Sequence, residues 1–253
     1  MSSFLKVAHR GASGRFPENS ATAFIKSIEY AADMIELDCQ QTADGHVVVF
    51  HDQDLRRIAR APGRVCEKTL EQLRELDIGR WKNRGFSGER ILTLEEALEI
   101  IARKTGLCLE IKQFAGAPPG IEIKILFVLS HYDWLDESII ASFDYACLGR
   151  VRELAPDARI GIIYGSGVRE DPFAAAARLS AASMHVQKEL ATDAFLSQAW
   201  ENGLDVFVWT VNDVRTMEKF ASLGVQGIVS DYPERLSKLV RKEARISLGS
   251  VPS

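Results

Sequence analysis

Short apolar runs alternate with helical patterns through almost the whole chain, and this rhythm narrows the fold more than any other feature. FLKVAH at 4–9 reads as a strand. Residues 19–32 read as a helix, with Ala23, Phe24, Ile28 and Ala31 at helical spacing. MIELDCQ at 34–40 is the next strand, and the ADG turn at 43–45 folds HVVVFHD back on it as a hairpin. Thr93 caps a helix through Lys104, with Glu96 at its third position in the reciprocal pattern of a capping box. Strands then follow at 107–112, 138–143, 159–165, 183–187, 204–211 and 225–230. Helical stretches separate or follow them at 119–131, 145–154, 171–182, 192–202, 212–223 and 233–243. With the hairpin counted as one core strand plus an adjunct, eight strand–helix units result. Strands alternating with helices imply a parallel sheet. Eight such units in 253 residues imply an α/β fold of the (β/α)8 TIM-barrel class, with a small insertion after the second strand. The competing architecture is a doubly wound open sheet; even units, and a first strand with no GxGxxG behind it, favour the barrel.

The segment 53–90 breaks the rhythm. It is polar, carries a Pro-Gly turn at 62–63 and holds one short helix near Leu70–Leu76, so it reads as an excursion over the top of the barrel. The expected organisation is one catalytic barrel domain over 1–240, with this insertion inside it, and a C-terminal tail over 241–253. A net charge of −4 lacks the broad basic face that phosphate backbones require, so no nucleic-acid partner is expected. Cys39, Cys66, Cys108 and Cys147 form no CxxC pair and read as free thiols of a reducing compartment. MSSFLKVAHR is too short and polar for a signal peptide, and no apolar run reaches the roughly 18 residues a bilayer needs. The expected setting is cytoplasmic, without stable membrane insertion; the sequence leaves the oligomeric state open.

In barrels of this class chemistry gathers where strands end and the following loops begin. His9 and Arg10 close the first strand, and His51 and Asp52 close the hairpin. Glu36 and Asp38 lie two apart on the second strand, as do Glu110 and Lys112 on the third, so each pair shares a face. Two carboxylates on one buried face repel each other and lose hydration unless protons or a cation join them. Three such oxygen donors suit one hard divalent cation, Mg2+ or Ca2+, which makes Glu36, Asp38 and Glu110 the expected metal ligands. Imidazole as a side chain titrates near neutrality, so His9 and His51 suit a general acid–base pair. Arg10 and Lys112 suit an anion, Arg by a bidentate grip on phosphate. Together these groups fit phosphoryl-ester hydrolysis. Trp209 is taken as lining a substrate pocket, with core packing as its alternative. The GASG loop at 11–14 reads as a flexible turn, Asp52 and Asp54 as loop braces, His46 as exposed, and His131 and His185 as ordinary surface or core residues.

These motifs resemble the glycerophosphodiester phosphodiesterase family. The resemblance rests on AHRGASGRFPENSATAF, IELDCQQTADGHVVVFHDQDLRR and LEIK, and continues through TLEQLRELDIG, GERILTLEEAL and GVQGIVSDYP, spanning about 7–236. It implies a TIM barrel that cleaves glycerophosphodiesters, such as glycerophosphocholine, into sn-glycerol 3-phosphate and an alcohol. It also implies one cation on Glu36, Asp38 and Glu110, acid–base roles for His9 and His51, and a phosphate held by Arg10 and Lys112. Ser20, Ile58, Leu92, Gln226 and Ser230 depart from the usual pattern, and none is one of these residues. Two alternatives keep the barrel: a lysophospholipase D-type hydrolase, with Ile58, Val65, Trp81 and Phe86 forming an apolar lip, or a non-catalytic phosphoester-binding protein.

Overall fold

The computed structural model describes residues 4–239. Its strands are β1 (Leu5–His9), β2 (Met34–Gln41), β3 (Val47–Val49), β4 (Gly106–Ile111), β5 (Ser138–Ser142), β6 (Arg159–Tyr164), β7 (Ser183–Gln187), β8 (Asp205–Trp209) and β9 (Gly227–Ser230). Eight of them pair in parallel, and β1 bonds to both β2 and β9, so the sheet closes into a TIM barrel. β3 is the adjunct, antiparallel to β2 through Cys39↔Val49. The helices between strands are α1 (Ala21–Glu29), α4 (Leu94–Ile101), α5 (Ile121–His131), α6 (Tyr145–Leu154), α7 (Pro172–Leu179), α8 (Asp193–Glu201) and α9 (Val214–Leu223); α2 (Arg56–Ala59) and α3 (Leu70–Arg74) belong to the insertion. Ser20, Thr93, Asp144, Asp171, Thr192 and Asp213 accept backbone N–H bonds as N-caps, which fixes where six of these helices leave their loops. The capping box at Thr93 and Glu96 is present.

Every residue of β2 is buried, and its alternation explains the site. Ile35, Leu37 and Cys39 join the large apolar layer under the helices. Met34 joins a smaller cluster inside the barrel with Val7, Cys108, Ile139 and Phe207. Glu36 and Asp38 lie on the same face as Met34, further along the strand, so the barrel interior passes from an apolar floor to a charged upper layer. On β4 the same rule puts Leu107, Leu109 and Ile111 outside and Cys108 and Glu110 inside.

The excursion contains α2 (Arg56–Ala59), α3 (Leu70–Arg74) and 3-10 turns at Val65–Glu67 and Arg84–Phe86, more helical structure than the one segment expected. The reason is a third core, shared with the hairpin: Leu55, Ile58, Val65, Leu73 and Ile78 of the excursion pack with Val48, Phe50 and Ile91. Ile58 and Val65 are therefore buried at 3% and 0% exposure and form no lip. The last helix is seen over 233–239. The remainder of the stretch expected to 243, and the expected tail, lie outside the described residues.

Candidate active site

Register assembles the site. β1 pairs His9 with Glu36 across to β2, and β2 pairs Asp38 with Glu110 across to β4. Paired residues on adjacent strands point the same way, so three carboxylates arrive together. One oxygen from each of Glu36, Asp38 and Glu110 lies within 4.8 Å of the others, and the residues are 7%, 1% and 8% exposed. Lys112 Nζ donates to Glu110 Oε1 at 2.5 Å and stands 3.1 Å from Asp38 Oδ1. Arg10 N donates to Glu36 Oε2 at 2.8 Å, while its Nε stands 3.3 Å from Asp38 Oδ2. Arg10 takes φ +55, the left-handed turn that ends β1 and aims its N–H at Glu36. Asn19 Nδ2 donates to Asp38 Oδ2 at 2.8 Å.

Charge does not balance within this group: three acids meet two cations, Arg10 and Lys112. Burial first, then the charges of Asp38 and Glu110, push the Glu36 carboxyl well above the usual range. Burial also raises Glu110, against the pull of Lys112. Burial works the same way on Asp38, but Lys112 and Arg10 outweigh it and hold that carboxyl well below the usual range. Asp38 Oδ1 is a buried oxygen that accepts no hydrogen bond, despite the nearby ammonium. An orphaned carboxylate oxygen, surplus negative charge and an all-oxygen donor set fit a hard divalent cation.

The two histidines are held alike. His9 Nδ1 lies 2.6 Å from Asp231 Oδ1, and His51 Nδ1 lies 2.6 Å from Asp52 Oδ1. Asp231 is in turn held by Asn212 Nδ2 at 2.6 Å, and its carboxyl sits low, at about 2, because His9 outweighs its burial. Asp52 is held low by His51 and Arg57, against its burial. An ionised carboxylate at Nδ1 makes that nitrogen the donor and leaves Nε2 for a reactant. Burial and Arg10 lower the His9 pKa, although Asp231 pulls it up.

A cavity of about 160 Å3 opens among these groups, lined by His9, Arg10, Glu36, His51, Glu110 and Lys112 on one side. Phe143, Ile163, His185 and Trp209 line the other. Trp209 thus reaches the cavity, with its Nε1 donating to His185 O at 2.9 Å and its ring edge-on to Phe143 at 5.8 Å. His185 belongs to the cavity wall rather than to unrelated core. The loop after β1 is packed, not loose: at Gly11, with φ +79, a Cβ would come within 2.7 Å of Ala23. Sequence reasoning missed Asp231, Phe143, Glu18 and Asn19. Asp231 had a signal: it is the first residue past β9, where the strand-end rule applies as it does after β1. His46 is exposed, as expected, and His131 is a surface residue.

Residues 9–235 match the model of the glycerophosphoryl diester phosphodiesterase family. A glycerophosphodiester phosphodiesterase of Caldanaerobacter subterraneus is 40% identical over 239 residues, covering 94% of this chain and 98% of that one. Among solved structures, an Oleispira antarctica phosphodiesterase in complex with the product sn-glycerol-3-phosphate superposes with a TM-score of 0.85 at 28% identity, over 93% of this chain and 96% of that one. A glycerophosphodiester phosphodiesterase from Thermotoga maritima gives 0.76 at 25% identity, over 94% and 100%.

Proposed function

The chain belongs to the glycerophosphoryl diester phosphodiesterase family, and from that premise we propose how its residues divide the work and what they act on. It is a glycerophosphodiester phosphodiesterase. Its substrates are small glycerophosphodiesters such as glycerophosphocholine and glycerophosphoethanolamine, and its products are sn-glycerol 3-phosphate and an alcohol. Residues 1–240 act as one catalytic unit, and the four free thiols agree with a cytoplasmic setting.

The observation that carries this reading is the strand register that brings the three acids together beside two histidines, each anchored at Nδ1 by its own aspartate. Glu36, Asp38 and Glu110 would hold one divalent cation, Mg2+ or Ca2+. When bound, the cation supplies positive charge against the developing charge on phosphate oxygens. Arg10 and Lys112 bind the phosphate as fixed cations. Phe143 and Trp209 shape the wall against which the carbon skeleton rests. One histidine Nε2 takes the proton of the attacking hydroxyl, and the other gives a proton to the departing alcohol oxygen. If the glycerol 2-hydroxyl attacks, a cyclic phosphate forms as the alcohol leaves, and water then opens it with the histidines in exchanged roles. If water attacks, hydrolysis is complete in one step.

The product bound in the Oleispira antarctica relative supports the predicted product. The lysophospholipid alternative keeps only part of its lip, since Ile58 and Val65 are buried while Trp81 and Phe86 stay partly exposed. The test is glycerol 3-phosphate release from a panel of head groups, with Mg2+ or Ca2+ and with chelator. Release with metal and loss with chelator is the expected result. A folded, metal-supplied protein that releases nothing from any diester would overturn the reading.

A further inference from the structure

The insertion packs its apolar side chains against the hairpin, yet one of its polar side chains reaches into the network behind both ends of the reaction. Arg57, on the four-residue α2, is seated by its neighbours Leu55 and Ile58, which are 0% and 3% exposed. Its guanidinium makes two forks. Nε and Nη2 donate to Asp52 at 2.6 and 2.9 Å, and Nη1 and Nη2 donate to Glu18 at 2.7 and 2.8 Å. Asp52 is the aspartate that holds His51 Nδ1, and Glu18 accepts from Arg10 Nη1 at 2.9 Å. A continuous chain thus runs from His51 through Asp52, Arg57 and Glu18 to Arg10.

A second arm leaves the same place. Trp81 lies 5.6 Å from both Arg57 Cζ and Lys82 Nζ. Lys82 Nζ donates to Ser13 O at 2.6 Å, and Ser13 Oγ stands 2.7 Å from His9 O and 3.1 Å from Asp231 Oδ1.

We propose that the inserted segment is a clamp on the catalytic apparatus: Arg57 is a positioning residue that fixes His51 through Asp52 and Arg10 through Glu18, and Lys82 steadies the His9 side. The clamp deepens the functional reading above and rests on it for its kinetic consequences. Its physical basis is the planar fork of arginine. Five N–H donors in fixed geometry serve two carboxylates at once, which the single ammonium of lysine cannot do. Without the guanidinium, Asp52 and Glu18 repel, the His51 ring loses its rotational anchor and Arg10 loses its brace.

Kinetics and proton NMR test this. In steady-state turnover of glycerophosphocholine, Arg57→Ala lowers kcat/KM about 10–100-fold, the range seen when a partner behind a site ligand is lost. The loss divides between kcat, through His51, and KM, through Arg10. Because Arg57 is 43% exposed, added guanidinium ion refills the gap and restores part of the rate, while wild type does not respond. Arg57→Lys falls between, and Arg56→Ala, an exposed neighbour, leaves the rate unchanged. Glu18→Gln added to Arg57→Ala costs less than the two single losses multiplied. In downfield proton NMR, Arg57→Ala moves the Nδ1–H resonance of His51 and spares that of His9, and Lys82→Met does the reverse. Wild-type kinetics and an unmoved His51 resonance in folded Arg57→Ala would overturn the clamp. A wild type inactive on every diester would sink the functional reading alone if the resonance still moved.

Discussion

The two walls of the cavity come from the same barrel yet obey different chemistry. Strands β1, β2 and β4 and the end of the hairpin contribute Glu36, Asp38, Glu110, Lys112, Arg10 and both aspartate-anchored histidines. Strands β6, β7 and β8 and the loop after β5 contribute Ile163, His185, Trp209 and Phe143. His9 is held by Asp231 from the loop after β9, and the partners of His51 and Arg10, Asp52 and Glu18, are both bound by Arg57 of the insertion. On the second wall the rings pack on rings, and the polar contacts are neutral: the Trp209 indole N–H to a carbonyl, and His185 to Ser183 Oγ and Cys108 Sγ. In the proposed function the first wall moves protons and balances charge, and the second gives the carbon skeleton a surface to rest against.

If that division is right, substitutions on the two walls fail in different ways. The largest effect belongs to the histidines. His51→Ala and His9→Ala each lower kcat by about 10²–10⁴, the usual value of a positioned proton-transfer group, with KM changing much less. Steady-state assays with glycerophosphoethanolamine decide this. Should either variant keep a wild-type kcat and lose only affinity, the chemical wall is misassigned.

The apolar wall gives the smaller, opposite signature. Phe143 is 40% exposed in the cavity mouth, so a substrate covers only part of its ring. Phe143→Ala and Trp209→Ala are expected to cost about 1 kcal/mol each, roughly fivefold in kcat/KM, carried by KM. A kcat loss as deep as that of the histidine variants would erase the contrast between the walls and give Phe143 or Trp209 a share in the chemistry.

The two walls were not equally legible in the sequence. The charged wall announces itself, because carboxylates at positions i and i+2 of an otherwise buried strand have no cheap structural explanation. Closure of the barrel followed from the count of strand–helix units. What escaped were the partners. Asp231 lies 222 residues from His9, and only closure of the barrel, β1 against β9, makes them neighbours. Phe143 is one residue past β5 in a run that reads as plain strand, SIIASF. The insertion reads as an excursion, with a lip only as an alternative drawn from the apolar Ile58, Val65, Trp81 and Phe86. The core that buries Ile58 and Val65 depends on Leu73, Ile78 and Ile91 folding back from up to 33 residues away. Local pattern carries no information about such pairings.

His185 draws the contrast between the walls most sharply, because it is the same residue type as His9 and His51 without an aspartate. It is 4% exposed, its ring stacks on Phe207 at 4.7 Å, and its Nε2 and Nδ1 face only Ser183 Oγ at 3.0 Å and Cys108 Sγ at 4.0 Å. Gly161 leaves the space it fills; a Cβ there would come within 2.6 Å of Nε2. Burial alone pushes its pKa down to about 3 from 6.5. The folded protein therefore keeps His185 neutral over a range where the unfolded chain has already bound its proton. The unfolded state holds the extra proton between those two values, so stability falls as the pH drops below 6.5 toward 3. The slope is about 1.4 kcal/mol per pH unit for this one group. His185→Leu removes that slope while costing some packing at neutral pH, and it leaves proton transfer to the other two histidines. Urea unfolding of wild type and variant at pH 7.5 and pH 5 measures the difference directly. Equal pH dependence in the two proteins would mean that His185 is charged or hydrogen-bonded like the catalytic pair, and the apolar wall would lose its clearest member.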